Sequence, residues 1–138
     1  MAVVKELIRA NEVGEISFGD YTLEKKTKVE NFECGGDVYK VKTFAEITKL
    51  EKNGMFVYES VPGTTVENLA QSEHGMSFMV EGPEDAQITI ELQDDTEYKI
   101  YMDETNVGKM KTNLGGKLSM SVELKNRDAV KVRVVKQS

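Results

Sequence analysis

The side chains that most often perform chemistry are scarce in this chain. Among 138 residues there is one histidine, His74, and one cysteine, Cys34. His74 lies in QSEHG beside Glu73 and Gly75. A Ser-His-Asp arrangement would have to use it as its base, and no G-x-S-x-G elbow accompanies it. Cys34 precedes Gly35-Gly36, with no neighbouring base or helix start to activate a thiolate. One cysteine cannot close an intrachain disulfide, and one Cys with one His cannot build a structural zinc site. Neither the phosphate-loop nor the dinucleotide glycine pattern is present. The residues therefore assign no catalytic group, no metal ligand and no cofactor.

Carboxylates are plentiful. Asp94, Asp95 and Glu97 cluster in one turn, and Asp103 and Glu104 in another. Oxygen ligands of this kind suit calcium, but no D-x-D-x-D-G loop organises them, and acidic turn residues also serve local hydrogen bonding. A glycosidase-like acid pair needs no sequence motif, so that chemistry stays open. Tyr101 offers a different possibility. In EYKIYMD it points away from Tyr98, Ile100 and Met102, close to Asp103 and Asn106. An aromatic face beside polar side chains can hold a sugar, so Tyr101, Asp103 and Asn106 form a candidate glycan site. The alternative is a tyrosine in a cross-strand pair.

Composition narrows the partners. Net charge is −6 and the lysines and arginines form no basic block, which speaks against a nucleic-acid groove. No stretch approaches the apolar length of a membrane span. The N-terminal segment MAVVKELIRANEVGE lacks the features of a signal peptide. The expectation is a cytoplasmic protein, with a phage-associated or non-classical export route left open.

The elements that must position these residues read as strands. Met76, Phe78 and Val80 share one face, as do Ala86, Ile88, Ile90 and Leu92. The same period holds for Tyr98, Ile100 and Met102, for Leu118, Met120, Val122 and Leu124, and for Val130, Val132 and Val134. Period two with polar residues between marks strands with one wet face. Turn chemistry at Glu81–Glu84, Asp94-Asp95 and Asp103–Asn106 separates them, and Asn113–Gly116 and Lys125–Asp128 are expected to close hairpins. This half predicts a small antiparallel β-sandwich, Ig-like in the loose sense.

The N-terminal half is strand-rich but less regular. The apolar phase slips at Gly19-Asp20, and Gly35-Gly36 suits a hairpin. Val3–Arg9 and TFAEITKLEK fit either a helical turn or a strand. Asn53-Gly54 is a strong hairpin signal, because both residues accept positive φ. That register places Lys52 opposite Met55, Glu51 opposite Phe56, Leu50 opposite Val57 and Lys49 opposite Tyr58. Met55, Phe56, Val57 and Tyr58 then present apolar side chains on both faces, and both faces call for cover. The cover is the other half of the chain, a second copy, or a ligand. The reading is an all-β protein with a β-rich unit at 1–68, a sandwich at 74–138, and a boundary in ENLAQSEHG.

ISFGDYTL, YKVKTFAEITKLEKNGMFVYESVPGT, EGPEDAQITIEL and KTNLGGKLSMSVEL together resemble a group of short bacterial proteins often labelled "endosialidase". The similarity runs over the whole chain, and the motifs are turns and strands that carry no catalytic residue. The resemblance implies a small glycan-active protein. The residues themselves point to a non-catalytic structural or interaction module, homo-oligomeric through Met55–Tyr58, with a carbohydrate-binding accessory module as the alternative.

Overall fold

Alternating apolar residues become two facing sheets. A computed structural model describes residues 3–137, and among them there are thirteen strands, numbered in chain order, and no helix. Sheet A orders β1 (Ile8–Ala10), β2 (Ile16–Phe18), β7 (Thr65–Ser72), β8 (Gly75–Glu81), β13 (Val130–Lys136), β10 (Glu97–Met102) and β11 (Thr105–Lys111). Sheet B orders β12 (Lys117–Val122), β9 (Ala86–Glu91), β6 (Met55–Val61), β5 (Ile47–Lys52), β4 (Asp37–Phe44) and β3 (Thr27–Cys34). Every neighbouring pair is antiparallel. The protein is an all-β sandwich. The period-two side chains of both halves meet in one hydrophobic core, from Leu7 and Ile8 to Val134.

Several local expectations shift once strands choose sheets. The turns at Asn113–Gly116 and Lys125–Asp128 do not close hairpins: each carries the chain from one sheet to the other, β11 to β12 and β12 to β13. The ambiguous TFAEITKLEK is a hairpin, with β4 and β5 joined at Ala45-Glu46, and Val3–Arg9 is a turn leading into β1. ENLAQSEHG is β7 and its tight turn into β8, and each sheet takes strands from both sides of it.

The Asn53-Gly54 hairpin forms as the residues predict, with φ of 53° and 77°. Lys52 pairs with Met55 and Glu51 with Phe56, but Leu50 then pairs with Tyr58 rather than Val57. Val57 is the extra residue of a β-bulge. A bulge resets the alternation, so consecutive Val57 and Tyr58 both turn inward, 4% and 0% exposed. Phe56 points outward instead, beneath the ammonium groups of Lys117 and Lys49, 4.9 and 5.9 Å from its ring centre. The unbroken apolar run is therefore not a ribbon covered on both faces. Two of its residues belong to the core, Phe56 is roofed by lysines, and Met55 stands 63% exposed at the turn.

Tyr58 occupies the centre of the core. Phe18 and Phe78 meet its ring edge-on at 5.2 and 5.6 Å, a geometry worth about 0.5–1.5 kcal/mol per pair beyond buried area. Its hydroxyl lies 2.8 Å from Thr64 Oγ1, which is also 2.7 Å from Ser60 Oγ. Burial pushes the Tyr58 phenol well above its ordinary pKa. Thr64 sits where the chain leaves sheet B at β6 and enters sheet A at β7. Its carbonyl accepts the Thr48 hydroxyl at 2.8 Å, and its N–H donates to that same oxygen at 3.1 Å. Thr48 has one proton and gives it to Thr64, so Thr43, 2.8 Å away, must donate to Thr48. Thr43 in turn accepts the Asp20 N–H at 2.9 Å. Gly63 packs so closely that a Cβ there would collide with the Phe44 carbonyl oxygen.

Thr64→Val keeps the shape of the side chain but leaves the buried Tyr58 and Ser60 hydroxyls short of a partner. The expected loss is about 1–3 kcal/mol, measured as a lower urea midpoint with an unchanged m-value.

Candidate functional site

The two sheets differ in strand number, seven against six. At one end β1 and β3 touch. Counting across from there, β12 falls opposite β10, and β11 has no strand opposite it. A cleft of about 750 Å3 opens at that end. Ile100, Met102 and Met110 line it from sheet A, and Met120 and Val122 from sheet B, with Val130 also in its wall.

All seven residues of β11 are exposed, which is unusual for a strand with an inward face. Met110 and Gly108 pair with the buried Tyr98 and Ile100 on β10. Opposite residues in a ladder share a face, so Met110 and Gly108 point inward, yet Met110 is 37% exposed. The strand persists because both its ends are fastened. At its far end Thr112 is buried; its hydroxyl donates to the Gln93 carbonyl at 2.6 Å and accepts the Thr96 N–H at 2.9 Å. At its near end Asp103 accepts the Lys131 N–H at 3.0 Å and pairs with Arg127 at 3.0 Å. Glu104 pairs with Lys131 and Arg133 at 3.2 and 3.4 Å. Hydrogen bonding to Lys131 lowers the Glu104 carboxyl pKa.

The opposite wall is fixed at the end of β12. Asp85, in the β8–β9 crossing, accepts the N–H groups of Leu124 and Lys125 at 2.9 and 3.0 Å. These two donors, Lys125 first, hold its carboxyl below the usual aspartate range. Glu123 precedes them on the cleft rim.

The residues singled out from the sequence fall in different places. Tyr101 pairs with Arg133 across β10 and β13, and the guanidinium carbon lies 4.2 Å from the ring centre. That cation–π contact occupies the face a sugar would stack on. Asp103 lines the cleft with its carboxylate committed to Lys131 and Arg127. Asn106 Oδ1 accepts the Gly108 N–H at 2.9 Å, a local turn bond. Of the proposed interface, Val57 and Tyr58 are interior, while Met55 and Phe56 border a second, more polar depression with Gln71, Glu73 and Lys136. His74 is exposed in the β7–β8 turn, its Nε2 3.5 Å from Glu73. Cys34 ends β3, half-buried against the core. Among the described residues no three His, Cys, Asp or Glu side chains gather as a metal site, and no helix is long and apolar enough to cross a membrane. Asp95, from the acidic turn, pairs with Lys111 at 3.1 Å.

Sequence reasoning missed β11. TNVGKMK lacks a period-two apolar pattern and follows a run of turn residues, so it reads as loop. The signal available was the six residues between the two turn motifs, Val107 to Thr112, with Val107 and Met110 among them.

No family model, curated protein or solved structure matches the chain.

Asp85 gives the cleft wall a pH signature. Its folded pKa lies below the unfolded value, so its contribution is complete above about pH 3.9, the unperturbed aspartate value. It is lost as pH falls through the depressed folded value. Asp85→Asn is expected to flatten the stability-against-pH curve below pH 4, followed by urea midpoints at stepped pH.

Proposed function

We propose that the protein is a non-catalytic structural or interaction module that self-associates through the open end of its sandwich. The observation that carries this reading is β11, a fastened strand with both faces exposed, standing over an apolar cleft with no strand opposite. Among the described residues its outer backbone edge is unpaired, and such an edge is a template for another chain.

Every edge carries some defence, β11 included, since Val107 is the extra residue of a bulge and Lys109 and Lys111 are charged; what sets β11 apart is the apolar cleft beneath it. The free edge of sheet A at the far end is β1, only three residues long. The far edge of sheet B is β3, which carries Lys28, Glu30 and Glu33 and a bulge between Val29 and Phe32 with Asn31 at φ 60°. Short strands, bulges and edge charges all discourage edge-to-edge pairing. Exposed apolar side chains also favour the open end. Val107, Met110 and Leu114, 54%, 37% and 83% exposed, lie on β11 and the loop after it. This surface replaces Met55–Tyr58 as the association site, because the bulge at Val57 takes half of that run into the core.

A second copy is the occupant this reading names. Light scattering coupled to size exclusion is expected to give a discrete oligomer. Met110→Glu puts a charge in the cleft wall and should shift the population towards monomer, with only a modest change in melting temperature because Met110 borders the open cleft. Met55→Glu, at the other candidate surface, should leave the oligomer intact. A protein that is monomeric at every concentration, or an oligomer dissolved by Met55→Glu alone, would overturn the assignment.

A further inference from the structure

The geometry of the open end specifies how two copies would meet, building on the self-association proposed above. Within one protomer β11 and β12 run in opposite directions. The loop joining them is held by Asn113 and Lys117, whose N–H and carbonyl are 3.0 Å apart. At the other end of the cleft Asp103, just before β11, pairs with Arg127, beyond β12, at 3.0 Å. The start of one strand thus lies beside the end of the other.

We infer that two protomers close each other's clefts reciprocally. In this dimer β11 of each lies along the free edge of the partner's β12, becoming the seventh strand of the partner's sheet B. A two-fold axis parallel to the strands achieves this. It leaves strand direction unchanged, so β11 and the partner's β12 meet antiparallel, as strands in both sheets already do. It also joins sheet A of one copy to sheet B of the other. The one-strand overhang of sheet A fills the one-strand shortfall of sheet B, and the two joined layers come out equal in strand number. Both bare edges disappear, and the two β11 strands face each other across the axis.

The same symmetry fixes the register. A pure two-fold rotation along the strands keeps every residue at its own height, and the backbone bond in the β11–β12 loop sets which heights coincide. Asn113 is level with Lys117. Counting back from that bond, and stopping short of the bulge residue Val107, places Met110 opposite the partner's Met120 and Gly108 opposite the partner's Val122, both on the inner face. On the outer face Lys109 falls opposite the partner's Ser121 and Lys111 opposite the partner's Ser119. No lysine stands directly opposite a lysine; the partner's Lys117 is the diagonal neighbour of Lys111, with its ammonium held by Glu91 at 3.2 Å. Met120 and Val122 already point into the core, so the inward faces agree.

Charge supports this occupant over a generic strand. Lys109 stands directly opposite Lys99 on β10, and like charges placed so repel. No acid pairs with Lys109 among the described residues, and no base pairs with Glu123. Both line the cleft from opposite walls. In the inferred register the partner's Glu123 is the diagonal neighbour of Lys109, within reach of a long side chain. Lys109 thereby guards the edge against strands that bring no acid to this place, and the partner supplies one twice, once at each junction.

The test is a charge exchange read by sedimentation equilibrium at low salt. Lys109→Glu and Glu123→Lys, each alone, should weaken the dimer by roughly tenfold in Kd, the equivalent of about 1.4 kcal/mol over the two junctions. Mixing the two variants should restore wild-type affinity, because the mixed dimer regains an opposite-charge pair at both junctions. Both positions are exposed, so neither monomer should lose melting temperature, and Lys109→Glu, which relieves the repulsion with Lys99, should raise it slightly. If wild-type protein is monomeric throughout, self-association itself fails. If wild type dimerises but the single variants do so equally well, or their mixture is not restored, self-association stands and this reciprocal geometry is overturned.

Discussion

The buried hydroxyl chain at Thr64 is the constraint on which the rest of the fold depends. A sandwich needs points where the chain changes sheets, and each such point takes backbone polar groups into the interior. Here the change from β6 to β7 is made through Thr64, whose N–H, carbonyl and hydroxyl are all engaged by side chains, Thr48 on one side and Tyr58 and Ser60 on the other. The order of protons is forced, running from Thr43 to Thr48 to the Thr64 carbonyl. The chain of bonds links β4, β5, β6 and the start of β7, and through Asp20 reaches the segment after β2. Buried polar groups are tolerated only when satisfied. A network satisfied through residues so far apart in sequence has one solution in space, and it sets how sheet A lies on sheet B.

With the sheets so placed, their ends are not equivalent. Beside the Thr64 junction the aromatic trio Phe18, Tyr58 and Phe78 fills the space between layers. At the far end seven strands face six, and what closes the gap in the middle of the molecule is missing there. Thr112, Asp103 and Glu104 hold β11 in place over that gap without covering it. A strand that is anchored at both ends and covered on neither face keeps its conformation while presenting backbone and side chains together, which is what edge recognition requires. The reading of this end as an association surface follows from that combination rather than from hydrophobicity alone.

Much of the fold was legible in the sequence, for reasons of short range. The inward sets Met76–Val80, Ala86–Ile90, Leu118–Leu124 and Val130–Val134 alternate, and all are buried as the alternation requires. Asn53-Gly54 forms its turn because the two residues tolerate positive φ wherever they stand. Met55–Tyr58 shows where such reasoning stops. Four apolar residues in a row can mean two covered faces or a shift of phase, and the sequence does not distinguish them. The bulge wins because it brings Val57 and Tyr58 into the core together, while Lys49 and Lys117 shield Phe56 from outside.

The chain by itself determined that most of the strands form, where most of them turn, and which side chains of the regularly alternating ones face inward, since those properties depend on neighbours two to four residues away. It also determined that nucleophile, metal and cofactor motifs are absent, which is a matter of residue types. Only the tertiary structure decided which turns are hairpins and which are crossings between sheets, because a loop of four or five residues can do either. It decided that β11 is a strand at all, since TNVGKMK owes its conformation to Thr112, Lys131 and Arg127, held by contacts made 16 to 28 residues away. And it decided where the open end lies, because a surplus strand exists only relative to the sheet packed against it.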